Sequence, residues 1–188
     1  MRKRKFWGWG YADEILSDQE DKNVEERILD RFSLSEVETI PVPQAQDIQL
    51  IKPRIVPPRS LRKTFSTDHL ERLNHSYGKS FPDVARAMLG LFPNPPDLIA
   101  LPHNQEDVIN ILDWSDQNNI AVIPYGGGSS VCGGVETDVG DSYSGVISLD
   151  LRNLNQVLEI DQESRAARIQ AGIFGPALEA ELKQSNLT

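Results

Sequence analysis

The chain has little sulfur and little histidine with which to build a reactive or metal-binding centre. One cysteine, Cys132, and three histidines stand among 188 residues. A single thiol excludes an internal disulfide and a zinc knot. His69 and His103 lack ligating neighbours at helical or hairpin spacing, so no metal site is expected. Cys132 is expected to pack against its loop rather than to react. Long apolar runs are missing as well, since no stretch approaches the roughly 20 residues that cross a bilayer. Basic charge is also in short supply: 19 Lys and Arg face 28 Asp and Glu, and the net charge of −9 argues against a general nucleic-acid binder. What basic charge there is gathers at Arg2, Lys3, Arg4 and Lys5. That start does not read as a secretory signal, because residues 6–11 are interrupted by glycines and followed by Asp13 and Glu14. A cytoplasmic location is the simplest fit, although an aromatic and basic start suits peripheral contact with a membrane surface.

Glycine, by contrast, is concentrated. Residues 123–134 read Ile-Pro-Tyr-Gly-Gly-Gly-Ser-Ser-Val-Cys-Gly-Gly, with five glycines in nine positions from Gly126 to Gly134. Ordering so bare a backbone costs more conformational entropy than ordering any other composition. Close approach of a ligand to the main chain offsets such a cost, because successive N–H groups can line a concavity that holds an anion such as a phosphate. Ser129 and Ser130 add hydroxyl donors. A plain glycine turn between strands is the competing reading, but hairpin turns need only one or two glycines. A Walker loop fails because no lysine follows at the required spacing. A Rossmann fingerprint from Gly126 would need glycine at Val131, and the residues after it do not read as an amphipathic helix.

The flanks place the glycines. Residues 98–102 read as a short strand, and residues 104–118 as a helix. Asn104 is its N-cap, Glu106 and Asp107 sit in the first turn, and Val108, Ile111, Leu112 and Trp114 form an apolar stripe. Residues 120–124 are a second strand, so 98–124 has the form of a βαβ unit that ends in the glycine loop. Residues 145–150, 156–161 and 165–171 read as three more strands, the last two half-exposed and antiparallel. Pro176 then opens an amphipathic helix carrying Leu178, Leu182 and the i,i+4 pair Glu179 and Lys183. Upstream, a helix over 67–74 is expected to stop at Gly78, leaving His75 at a solvated helix end. Residues 36–58, rich in proline and without periodicity, look like a linker wrapping the surface.

Pro124-Tyr125-Gly126-Gly127-Gly128-Ser129-Ser130, then Ser148-Leu149-Asp150-Leu151-Arg152, then Gln170-Ala171-Gly172 with Gly175-Pro176 and Leu178-Glu179 stand in an order that resembles the flavin-binding domain of the vanillyl-alcohol oxidase and p-cresol methylhydroxylase superfamily. Trp7-Gly8-Trp9-Gly10 and His75-Ser76-Tyr77-Gly78-Lys79-Ser80-Phe81-Pro82-Asp83 extend the resemblance to the alkyldihydroxyacetonephosphate synthase branch and its bacterial FAD-linked oxidase relatives. Together they cover nearly everything outside a variable stretch at 13–53.

The resemblance implies an α+β fold: the N-terminal half of an FAD-binding domain, preceded by an extended and helical region. It divides the chain into an arm and linker at 1–60, a helical segment at 61–93 and the first part of the flavin domain at 94–188. It implies that Pro124, Tyr125, Gly126, Gly127, Gly128, Ser129 and Ser130 wrap the FAD pyrophosphate through backbone amides, with Tyr125 shaping the loop. Covalent-flavin members place a histidine one residue before the loop's final serine, where this chain has Ser129, so noncovalent FAD is expected. Trp7 and Trp9 are expected to dock an N-terminal arm onto the body. The family's catalytic tyrosine and histidine cluster is expected beyond Thr188, and no catalytic residue is assigned here; the chain reads as an N-terminal fragment of a longer enzyme. The implied activity is flavin-dependent exchange of a fatty alcohol for the acyl chain of acyl-dihydroxyacetone phosphate, toward ether lipids. Oxidation of 2-hydroxy acids such as lactate or glycolate is the alternative, and a non-catalytic nucleotide-binding module is the alternative of another class. The implied partners are FAD and a small-molecule or lipid substrate, with room for a homodimer of the full-length protein.

Overall fold

The computed structural model describes residues 2–187. The chain opens with a hairpin in which Arg4 bridges Tyr11. Helix α1, Asp18–Phe32, follows, then an irregular stretch with 3-10 turns at Ala45–Asp47 and Arg62–Thr64. Strand β1 (Phe65–Ser66) leads into the short helices α2 (His69–Asn74) and α3 (Phe81–Met88). The remaining elements are β2 (Leu98–Ala100), α4 (Gln105–Gln117), β3 (Ile120–Tyr125), β4 (Gly145–Asp150), β5 (Val157–Asp161), β6 (Ala166–Ile169) and α5 (Gly175–Lys183).

Four strands form one sheet in the order β1-β2-β4-β3, with β2, β4 and β3 parallel and β1 antiparallel at the edge. The unit β2-α4-β3 is the expected βαβ crossover, but β4 inserts between its two strands. Every residue of β4 is buried, Ser148 and Asp150 included, as befits a central parallel strand covered on both faces. Helix α4 covers the sheet with Ile111, and Leu98, Ala100, Ile120, Ile147 and Leu149 complete this core. The expected stripe is rotated at one position: Leu112 is exposed, and the buried Ser115 faces inward, its hydroxyl bonded to the Ile111 carbonyl at 2.7 Å. Asn104 caps α4 as expected, accepting from the Asp107 N–H.

A second core joins the N-terminal half. Phe6, Ile48, Leu73, Tyr77, Ala87 and Phe92 pack together, with Trp7 against them. The linker is therefore more than a wrap. Ile48 enters this core, Ile55 packs on the sheet core, and Arg54 pairs at 2.8 Å with Asp97, which is wholly buried at the start of β2. Burial disfavours the Asp97 carboxylate, yet bonds from the Arg54 side chain and from the N–H groups of Arg54 and Val146 hold its pKa below the usual value. Arg72 is buried too, donating to the carbonyls of Pro96 and Ile51.

Helix α1 was not expected within the variable stretch. Its sequence has a complete capping box, Ser17 with Glu20, and acidic residues in the first turn, yet it contributes no buried residue. The hairpin β5–β6 is antiparallel as expected but more exposed than half. Among the described residues no helix is long and apolar enough to cross a membrane.

Candidate functional site

The site is built at the carboxyl ends of β3 and β4, where Tyr125 and Asp150 stand side by side in register. Crevices at strand carboxyl ends are the usual ligand sites of parallel sheets. The chain leaves β3 at Tyr125 and enters the glycine run at once. Pro124 is the penultimate strand residue, while Gly126, Gly127 and Gly128 bend away, with Ser129 and Ser130 beyond them. All seven residues expected to bind cofactor thus lie on one continuous segment, from the last two residues of β3 through the turn, and Gly126 and Ser129 are exposed on it.

The three glycines differ in what a side chain would meet, and only Gly128 excludes one. Gly128 has φ +66° and lies on the Tyr125 hydroxyl, which a Cβ would strike. Nothing stands within 4 Å of where a Cβ on Gly126 would project, so the main chain there is bare toward solvent. Gly127 packs against the Phe174 ring, 3.4 Å from its Cβ position.

Tyr125 is the post around which the loop turns. It is buried, donates its hydroxyl to the Asn74 carbonyl at 3.0 Å, and packs on the His75 ring with centroids 4.0 Å apart. Burial pushes its pKa up to about 12, so it stays a neutral donor.

The second buttress is the segment after α2. The helix ends at Asn74, with His75 as its cap, so Gly78 is not the stop that the sequence suggests. Gly78 serves close approach instead: a Cβ would collide with the Ser130 carbonyl oxygen, which accepts the Lys79 N–H at 2.7 Å. Ser130 is further tied down as its Oγ accepts from the Gly134 N–H at 3.0 Å.

His75 is also not at a solvated helix end. It is 1% exposed, with Nε2 2.8 Å from Asp150 Oδ2 and Nδ1 2.6 Å from the Glu71 carbonyl. Arg152 completes the cluster, bonding Asp150 and Glu71. Burial opposes ionisation of Asp150, but hydrogen bonds from His75 and Arg152 hold its pKa below the usual range. Glu71, His75 and Asp150 offer three metal-type donors within 4.8 Å of one another, a convergence that sequence spacing could not disclose. The Arg152 guanidinium already supplies the positive charge between the two carboxylates, so the donor set reads as a structural ion cluster beneath the loop. His69 bonds the Ala45 carbonyl, and His103 lies 3.8 Å from Asp107.

Cys132 is exposed, and what its side chain touches is the loop itself. Its sulfur lies 3.6 Å from the Ser130 hydroxyl, and that contact and the Gly134 N–H lower its pKa. The arm does reach the site. Phe6 and Trp7 join the second core, and the Trp9 indole donates to the Lys79 carbonyl at 3.1 Å although its ring is largely exposed. Lys79 Nζ donates back to the carbonyls of Lys5 and Phe6, and Arg4 donates to the Gly127 carbonyl.

Residues 96–188 match the family model described as FAD binding domain. The chain is 36% identical over 129 residues to the alkyldihydroxyacetonephosphate synthase of Trypanosoma brucei brucei, covering 66% of this chain and 21% of that protein. It is 35% identical over 155 residues to the enzyme of the same name from Dictyostelium discoideum, covering 79% and 25%. A solved structure of an alkyldihydroxyacetonephosphate synthase superposes with a TM-score of 0.80 at 28% identity, over 96% of this chain and 38% of that one. The glycolate oxidase subunit GlcD of Bacillus subtilis is 30% identical over 83 residues, 44% of this chain and 17% of that protein. The chain spans about a fifth to a quarter of the length of the synthases it matches. Residues 96–188 belong to the FAD-binding family, the chain shares the α+β fold of that solved structure, and FAD is the cofactor the family model names.

Proposed function

We propose that residues 124–130 hold the pyrophosphate of FAD, noncovalently, within a flavin enzyme that works as an alkyldihydroxyacetonephosphate synthase. The observation that carries the first part is the bare turn of Gly126, Gly127 and Gly128 at the carboxyl end of β3, bent around the buried Tyr125 and braced by the Gly78–Ser130 contact. Such a turn fits a diphosphate, because an anion can approach main-chain N–H groups without meeting side chains. The flavin would supply the chemistry of the reacting centre once bound, and this chain's residues would orient it by its diphosphate.

The likeness supports the synthase reading over the 2-hydroxy-acid oxidase reading by its extent. A match over 79% of the chain exceeds what residues 96–188 could supply, so it includes part of the region before them. The glycolate oxidase match covers only 44%. Fold likeness alone does not fix a substrate. Offering acyl-dihydroxyacetone phosphate with a long-chain alcohol, and separately glycolate or D-lactate, to the protein that carries this chain tests the choice. Alkyl exchange without bleaching by a hydroxy acid is expected; bleaching without exchange overturns the synthase reading.

Binding is tested on the chain itself. FAD and ADP should bind more tightly than inorganic phosphate, whereas equal weak binding of every anion favours a non-catalytic module. With Ser129 where covalent members carry histidine, acid precipitation should leave the flavin in the supernatant; yellow pellets would contradict the noncovalent assignment.

A further inference from the structure

We propose that Arg4, carried by the N-terminal hairpin, is a ligand of the diphosphate held at the glycine loop, so that arm and loop form one anion site. The proposal rests on the reading of that loop as the FAD diphosphate cradle, and it adds a residue 123 positions away in sequence.

Position is the first support. The Arg4 guanidinium donates through Nη1 to the carbonyl of Gly127, at the middle of the loop. Its Cζ lies 4.8 Å from the centroid of the Phe174 ring, which itself packs on Gly127. The cation is thus seated between the loop and the residue that caps α5.

Availability is the second. Arg2 is paired with Asp13, Arg54 with Asp97, Arg86 with Asp83 and Glu136, and Arg152 with Glu71 and Asp150. No carboxylate pairs with Arg4 among the described residues, in a chain whose net charge is −9. A guanidinium has five N–H donors in a planar fork that matches phosphate oxygens. One is used by Gly127, and the same bond neutralises a loop carbonyl whose lone pairs would repel an anion.

The third support is that the arm is held in place. The Arg4–Tyr11 bridge closes the hairpin, and Phe6 is buried in the second core. Trp9 donates to the Lys79 carbonyl, while Lys79 Nζ returns bonds to Lys5 and Phe6. The charge is therefore presented to the loop by a fixed element, which limits the entropy lost when an anion engages it.

Arg4→Gln and Arg4→Lys in the whole chain test this, with ADP as the charged probe, adenosine as the uncharged one and Arg2→Gln as a control for general charge. Arg4 is exposed, and equal melting temperatures will show that the variants fold. R4Q should weaken ADP about tenfold, and R4K less, with adenosine unchanged. The dependence of ADP affinity on salt should also become shallower in R4Q. If R4Q binds ADP as the unaltered chain does, or R2Q loses as much as R4Q, Arg4 is not a ligand while the loop reading stands. If the unaltered chain binds neither ADP nor FAD, the loop reading falls and this inference with it.

Discussion

At the scale of single residues, the site depends on places where a side chain is missing. Gly78 matters because the Ser130 carbonyl occupies the space its Cβ would need, and the bond from Lys79 N–H to that carbonyl fixes the end of the glycine turn. Gly78→Ala forces two backbone segments apart, an overpacking change of about 1–3 kcal/mol. Thermal unfolding should register it as a lower melting temperature, and FAD affinity should fall further than stability alone explains. An alanine variant with unaltered FAD affinity would show that the bracing contact is dispensable. Sequence inspection could find the glycines of the turn because they are consecutive, and it located Tyr125 at the turn's base. It misassigned Gly78 as a helix stop, because glycine after a helix has that local meaning and the true reason comes from a segment 52 residues away. Likewise His75, Asp150 and Arg152 reveal nothing of their shared cluster until the register of β3 and β4 brings them under the loop.

At the scale of elements, local periodicity disclosed β2, α4, β3 and α5, whereas the placement of β4 between β2 and β3 is a long-range pairing that no window of sequence contains. The arm is the element whose docking can be tested by pH. Burial, with the Arg4 charge adding to it, lowers the Lys79 pKa to about 8 from 10.5. Between those values the unfolded chain binds more protons at this lysine than the folded one, so its contribution makes stability rise with pH. Below about 8 both states are protonated and the cost of the buried charge is fully present. Above 10 the rise is opposed, because burial raises the pKa values of Tyr77 and Tyr125 above their ordinary 10.0 and the unfolded chain loses those protons first. The gain due to Lys79 is therefore read between about pH 8 and 10, as the difference between the unaltered chain and Lys79→Met. Cys132 titrates in both proteins and cancels. Denaturant unfolding should give a steeper rise for the unaltered chain; parallel curves would mean that Lys79 is not buried against the arm in solution.

At the scale of the whole molecule, burial is uneven, and stability should be uneven with it. Ile147 and Ile99 are completely buried in the central strands, and Ile147 packs in the sheet core. Helix α1 contributes no buried residue and rests on its capping box and intrahelical bonds. Most helical stability in proteins comes from packing an apolar face, so a helix without one opens locally at little cost. Val24→Pro should accordingly abolish α1 while leaving the melting temperature of the body nearly unchanged, whereas Ile147→Ala should cost about 2–5 kcal/mol by leaving a cavity in the sheet core. Amide exchange would separate the two regions directly, with α1 exchanging fast and β4 at the rate of global unfolding. If V24P lowers the global transition as much as I147A, α1 must pack against something in solution, and its exposed Phe32 and Val24 become the residues through which it does so. If it does not, the functional unit reduces to the two cores, the arm that joins them to the glycine turn, and the ion cluster beneath it.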